Sequence, residues 1–247
     1  MIRLAAVGDV HAGLDSGGSL RPYYEHVGER ADLLLLAGDL TRHGDPEEAA
    51  VLVEEMRDVG VPTIAVLGNH DYHSDADDKI RGLLEEAGIR VLEGEGTVVD
   101  VGGTRVGVAG TKGFGGGFAG ACATDFGEPE TKAFIRHTRL LADRLRAALE
   151  RLKEAGADVR IALLHYSPVG DTLRGERLEI YPFLGSYLLA EAIDGAGADL
   201  VVHGHAHGGV EKGMTPGGIH VRNVAQPVIK HAYHVYCLGG DDGPSCD

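Results

Sequence analysis

Histidine, aspartate and asparagine stand together at short spacings along this chain: Asp9-Val10-His11, Gly38-Asp39, Gly68-Asn69-His70-Asp71, His165 and Gly204-His205-Ala206-His207. Their side chains offer carboxylate and amide oxygens and imidazole nitrogens, a donor set suited to divalent ions of intermediate softness. The same residue types serve as general acids and bases. Singly, each has an ordinary explanation. An aspartate after a strand commonly caps a turn, and a lone histidine is commonly a partly buried hydrogen-bonding group. What argues for chemistry is their placing, because each group ends a short apolar run.

Those runs are the elements that must position them. Residues 2–7 (IRLAAV), 32–37 (DLLLLA), 61–67 (VPTIAVL), 159–164 (VRIALL) and 199–202 (DLVV) read as buried strands. Between the second and third lies a helix, with Asp45 as N-cap, Pro46 in its first position and Gly60 as its stop. Residues 74–88 repeat the pattern with Ser74 as cap and Gly88 as stop. Strand, helix, strand at this spacing predicts parallel strands. Ligands of open α/β sheets bind beyond the carboxyl ends of the strands, so neighbouring strands would bring the polar groups together. Within Asp9/His11 and His205/His207, the i, i+2 spacing puts both side chains on one side of an extended chain.

The rest of the chain supports these elements. Residues 97–101 and 104–109 predict a hairpin around Gly102-Gly103, and 110–127 a glycine-rich loop, either a flexible connection or a mobile lid whose Phe114 and Phe118 contact an apolar part of a substrate. A long amphipathic helix is expected over 129–155, with Leu140, Leu141, Leu145, Leu149 and Leu152 at helical spacing. Residues 166–184 lack periodicity and read as a substrate-shaping loop, 185–194 as a helix, and the stretch to 238 as antiparallel strands. One domain is expected over 1–238, with a flexible acidic tail over 239–247.

Composition narrows the partners. With 23 Lys and Arg against 38 Asp and Glu, the formal charge is −15, which counts against long nucleic acid or an anionic membrane surface. Hydrophobic residues make up 43%, enough for a packed core and too many for a disordered chain. No apolar run is long enough to span a membrane, and no secretory leader is visible. Cys122, Cys237 and Cys246 form no CxxC pair, so reduced thiols and a cytoplasmic location are expected.

The ordered set D-x-H, G-D, G-N-H-D, H, G-H-x-H, running from Asp9 to His207, resembles the motifs of the calcineurin-like metallophosphoesterase superfamily. The resemblance implies a four-layer α/β/β/α sandwich with two metal ions at the ends of its central strands. It implies Asp9, His11, Asp39 and His207 as ligands of one ion, and Asp39, Asn69, His165 and His205 as ligands of the other, with Asp39 bridging. His70 matches the catalytic histidine. The implied reaction is hydrolysis of a phosphate mono- or diester of a small molecule by a hydroxide bridging the ions, which lower the pKa of bound water from about 15.7 toward 7. Mn, Fe, Zn, Co and Ni ions all suit the donors. Two further readings stay open on the same fold. A nuclease is disfavoured by the acidic balance, and a non-catalytic binding module by the filled ligand positions. There is one departure. Many members carry an aspartate three residues after the bridging one to orient the catalytic histidine, and here that place holds Arg42. Asp71 or another group would then orient His70, while Arg42 and His73 become candidate substrate contacts. His203, one step out of phase with His205, is expected to be structural.

Overall fold

Apolar runs with β-branched residues make extended chain, and the computed structural model, which describes residues 1–239, turns each of them into a strand. The strands are β1 (Ile2–Val7), β2 (Leu33–Ala37), β3 (Thr63–Val66), β4 (Ile89–Val91), β5 (Glu95–Val101), β6 (Thr104–Thr111), β7 (Gly117–Phe118), β8 (Ala121–Cys122), β9 (Val159–Leu164), β10 (Leu200–His203), β11 (Lys212–Met214), β12 (His220–Asn223) and β13 (His234–Leu238). The helices are α1 (Arg21–Tyr24), α2 (Val27–Arg30), α3 (Pro46–Glu55), α4 (Asp77–Glu86), α5 (Pro129–Glu154), α6 (Tyr181–Leu184), α7 (Tyr187–Ala196) and α8 (Gln226–Ile229).

Two sheets result. The first has the order β13-β1-β2-β3-β4, with β1 to β4 parallel and β13 antiparallel on its edge. The second has the order β11-β12-β10-β9-β6-β5, in which β12, β10, β9 and β6 are parallel and both edge strands run the other way. The period of two in a strand sorts its side chains between two cores. In β9, Ile161 and Leu163 join the cluster that holds Leu34, Leu36 and Val66 of the first sheet. Ala162 and Leu164 join Leu145 and Leu149 of α5 and Leu189 and Ile193 of α7. Leu52 of α3 and Ile80 and Leu84 of α4 are buried with the first sheet. The order is therefore helices, sheet, sheet, helices, the four-layer α/β/β/α sandwich. Burying each of these leucines and isoleucines contributes about 1.5–3 kcal/mol.

Several local readings are corrected. Helix α3 stops at Glu55, where both Leu52 and Glu54 carbonyls accept the Met56 N–H, and the following turns bury Met56 and Val59 before Gly60. Ser74 caps nothing, since its hydroxyl donates to the His43 carbonyl at 2.7 Å, and α4 begins at Asp77. Leu140 lies on the solvent side of α5. The glycine-rich segment is part strand, because β6 runs on to Thr111 and β7 and β8 form a small ribbon. Residues 166–184 make an excursion of single turns whose ends meet, with the Ser167 N–H on the Leu184 carbonyl and the Ser186 N–H on the Ser167 carbonyl. The Gly102-Gly103 hairpin is as expected, both glycines having positive φ as a two-residue turn requires. Cys122 is free and exposed. Cys246 and, except for Gly239, the expected acidic tail lie outside the described residues. Among the described residues no helix is long and apolar enough to cross a membrane.

Candidate metal centre

Register sets the level at which the strands end. Ala37 pairs with Val66, Val7 with Leu36, Thr111 with Leu164 and Val202 with Leu163, so the polar groups leave both sheets at one height. The loops are then stitched together. The Asp9 N–H donates to Gly38, the His11 N–H to Asp39, and the Gly204 N–H to the His165 carbonyl. Two glycines are required by close approach. A Cβ on Gly38 would meet His165 Nδ1 at 2.5 Å, and one on Gly68 would coincide with the Asp39 carboxylate.

The side chains converge, but not through extended backbone as the i, i+2 spacing suggested. Asp9, His11, Asp39 and His205 have φ of 60°, 46°, 51° and 69°, the sparsely populated left-handed region. Such conformations cost about 1–3 kcal/mol each and persist where surrounding bonds impose them. One donor atom from each of Asp9, His11, Asp39 and His207 lies within 4.8 Å of the others, and the same holds for Asp39, His165 and His205. Asp39 belongs to both sets. Asn69 joins the second, its Oδ1 lying 3.0 Å from His165 Nε2.

The donors are arranged for cations. The Nδ1–H of His165, fully buried, donates to the Ala37 carbonyl at 2.8 Å, which leaves Nε2 bare in the neutral ring. That nitrogen faces two oxygens, Asn69 Oδ1 at 3.0 Å and Asp39 Oδ1 at 3.3 Å. A lone pair aimed at two oxygens needs a positive charge between them, and a metal ion meets that need. Without metal a proton fills the role. Burial alone would lower the His165 pKa, but the Asp39 carboxylate raises it to about 9. Reciprocally, burial would raise the Asp39 carboxyl, yet the His165 charge and hydrogen bonds, with the His70 N–H at 2.8 Å, hold it far below the usual range. His207 Nε2 lies 2.8 Å from Asp9 Oδ1, and that bond raises its pKa. Burial, reinforced by the His165 charge, drives His205 down to about 3, so its ring is neutral and able to ligate. Burial likewise lowers His11.

Around this core, His70 is held by a group that sequence reasoning did not name. Its Nδ1–H donates to the Arg42 backbone carbonyl at 2.7 Å, leaving Nε2 toward the centre, 3.9 Å from Asp39 Oδ2. Asp71 does not touch the His70 ring. It is buried and accepts from Leu40 N, Thr41 N, Thr41 Oγ1 and Gly68 N, fastening the loop after β2 to the loop after β3. The Arg42 guanidinium pairs with Asp15 at 2.9 Å on the rim. His73 is exposed, its backbone N–H on the His70 carbonyl. His203 is buried, with Nε2 2.8 Å from Thr172 Oγ1 and Nδ1 on the Gly204 carbonyl, and burial lowers its pKa to about 4. Phe114 is engaged by Phe134, His137 and Tyr166, and Phe118 by Tyr181. Sequence reading passed over Tyr166, whose ring stacks at 4.3 Å on His205, and Lys112, whose ammonium sits beside Tyr166, Tyr72 and Phe114. The strand-end rule would have found Lys112, which follows β6 at the level of His165.

Comparison with known proteins agrees with this geometry. A curated relative, a probable cyclic nucleotide phosphodiesterase of Synechococcus sp., is 32% identical over 80 residues, covering 28% of this chain and 31% of the relative. The chain thus matches less than a third of that relative's length. Among solved structures, the phosphopantetheinyl hydrolase of Mycobacterium tuberculosis superposes with a TM-score of 0.67 at 16% identity, covering 98% of each chain. A putative 5'-nucleotidase of Staphylococcus aureus superposes with a TM-score of 0.60 at 18% identity, covering all of this chain and 52% of its own. At these identities the likeness is one of fold. The family description of the calcineurin-like phosphoesterases matches residues 2–209, a span that contains every residue of the cluster from Asp9 to His207, and the chain belongs to that family.

Proposed function

We propose that this protein is a metal-dependent hydrolase of phosphate mono- or diesters of a small molecule. The observation that supports it is the pair of metal-donor clusters sharing one buried carboxylate, Asp39. Asp9, His11, Asp39 and His207 would hold one ion, and Asp39, Asn69, His165 and His205 a second. Bound divalent ions supply Lewis acidity, an activated water at neutral pH and charge to offset the phosphate.

The chain's own groups do the positioning. The His70 N–H fixes one Asp39 oxygen, and the Ala37 carbonyl fixes the His165 tautomer. The Tyr166 ring packs against His205, with ring centres 4.3 Å apart, and helps to fix its orientation. His70, with Nδ1 engaged by Arg42, presents Nε2 where a phosphoryl or leaving-group oxygen would lie. Donation from that atom requires the imidazolium form, so His70 would stabilise the developing charge or protonate the leaving oxygen as a cation. The charge of −15 supports a small phosphorylated substrate over nucleic acid.

The test is elemental analysis of metal-reconstituted protein together with a panel of phosphomonoesters and phosphodiesters, cyclic nucleotides included. Two ions per chain and turnover of p-nitrophenyl phosphate or bis-p-nitrophenyl phosphate with Mn²⁺ are expected. A folded, metal-loaded sample inert on the whole panel would favour a binding module on this fold.

A further inference from the structure

Lys112 is a buried cation for which the centre described above has no use. Its side chain is 8% exposed. The ammonium lies 4.9 Å from the centre of the Tyr72 ring, 4.8 Å from Phe114 and 5.5 Å from Tyr166. Aromatic faces attract a cation but leave its three N–H groups without acceptors. Among the described residues no carboxylate lies in ion-pair contact with it, while burial lowers its pKa and Glu93, Asp39 and Asp77 oppose that effect from farther away. Glu93, the carboxylate that acts on it most strongly, is held by the Thr111 hydroxyl at 2.7 Å and the Lys112 backbone N–H at 3.0 Å and makes no ion pair with the ammonium. The aromatic faces and the more distant carboxylates offset part of the cost of burying this ammonium, and an anion hydrogen-bonded to its N–H groups would offset more.

Strand geometry says where that partner would sit. Along β6, Val106 and Val108 face the first sheet, and a Cβ on Gly110 would meet Val66 and Leu92 of the same side. Lys112 continues this parity. On neighbouring β9, Ile161, Leu163 and then His165 share it. The Lys112 carbonyl accepts the N–H groups of both His165 and Tyr166, which locks the two strand ends together. Lys112 and His165 thus point into the same space between the sheets. Tyr72, two residues beyond His70, meets the ammonium from the other side. Glu93, then Asp39 and Asp77, oppose the effect of burial on Lys112, and of these Asp39 belongs to the donor clusters. A fixed positive charge beside two divalent ions repels them. An anion with charge to spare that enters beside it offsets that repulsion.

We propose that Lys112 is a substrate contact that donates to a phosphoryl oxygen and makes the site select dianionic phosphate, hence a phosphomonoester over a diester. The inference rests on the phosphoesterase reading and deepens it. A monoester dianion keeps a free anionic oxygen for the ammonium after others meet the metal-ligand cluster and His70, whereas a diester has one such oxygen fewer and half the charge.

The test uses the metal-loaded protein and two ligands titrated calorimetrically at pH 8, inorganic phosphate as the dianion and dimethyl phosphate as the diester monoanion. Lys112→Met keeps the length and the aromatic contacts but removes the charge. It should lose about 10–100-fold in phosphate affinity, the size of one charge-assisted hydrogen bond, while dimethyl phosphate affinity stays within about 3-fold. Lys112→Arg should retain most of the phosphate affinity. Where the enzyme turns over both ester classes, the ratio of kcat/KM for monoester to diester should fall by the same factor in Lys112→Met. Unchanged phosphate binding in Lys112→Met, equal losses for both ligands, or no phosphate binding by the wild type would overturn the proposal. Should the methionine variant lose its folded signal, Lys112→Gln takes its place with the same expected outcomes. Phosphate binding that depends on Lys112 in a protein inert on every ester would refute the hydrolase reading and leave the anion contact standing.

Discussion

Asp71 offers the sharpest check on how the centre is held. Its carboxylate is fully buried and accepts from Leu40 N at 3.2 Å, Thr41 N at 2.8 Å, Thr41 Oγ1 at 2.6 Å and Gly68 N at 2.8 Å. The Thr41 hydroxyl can rotate to another acceptor after truncation, but the three backbone N–H groups cannot. Each orphaned buried donor costs about 1–3 kcal/mol. Part of that is offset because alanine also removes the desolvation cost of a buried carboxylate. The net loss for Asp71→Ala is therefore about 3–5 kcal/mol. At about 2–4 °C per kcal/mol for a chain of this size, the melting temperature should fall by about 6–20 °C. Asp71→Asn should recover little, since its amide turns an acceptor into a donor facing donors. The assay is differential scanning calorimetry on metal-free protein, so that metal binding does not mask the change. A melting point within about 2 °C of wild type for Asp71→Ala would refute the idea that this carboxylate ties the two loops.

Three other outcomes are expected. Asp39→Ala, which removes the carboxylate common to both donor clusters, should lose most bound metal by elemental analysis and nearly all turnover; wild-type metal content would overturn the bridging assignment. His70→Ala should keep its metal and fold but lose about 10²–10⁴-fold in turnover, less for p-nitrophenol esters if the ring protonates the leaving group, and an unchanged rate would strike it from the site. In metal-free protein, the His203 pKa is depressed to about 4 from 6.5, so the ring is neutral when folded and its contribution to stability is present above pH 6.5 and lost as pH falls toward 4. The stability advantage of wild type over His203→Gln should thus shrink by about 3 kcal/mol between pH 7 and pH 4 in denaturant titrations, and a constant difference would mean His203 does not titrate as placed.

Much of the arrangement was legible because strand ends and donor residues coincide. Five apolar runs followed by His, Asp or Asn predicted the convergence of Asp9, Asp39, Asn69, His165 and His205 before any coordinates. The local reason offered for the i, i+2 pairs was wrong, since Asp9, His11 and His205 are left-handed, a region that aspartate and histidine visit more than most residues but too seldom to read from the sequence. The orientation of His70 was hidden for another reason. The group that holds it is the Arg42 carbonyl, and a backbone atom leaves no trace in the residue name. Lys112 is hidden because the apolar run of β6 breaks at Gly110, whereas the strand itself continues to Thr111. Helix α3 was overextended for lack of any local signal that Met56 and Val59 would be drawn into the core instead.

The way the donors are divided between the sheets bears on how the protein is made. Asp9, His11, Asp39 and Asn69 emerge early during synthesis, on strands β1 to β3 that are contiguous in the chain. His165, His205 and His207 follow more than ninety residues later, on the other sheet. A nascent chain can close the first sheet, apart from its β13 edge, while holding only an incomplete coordination sphere. If the centre holds two ions as proposed, full loading would require the second sheet to have docked, a contact of long sequence separation of the kind that forms slowly. On that reading, a chain cut before β9 should be folded in part yet lack the His165, His205 and His207 donors.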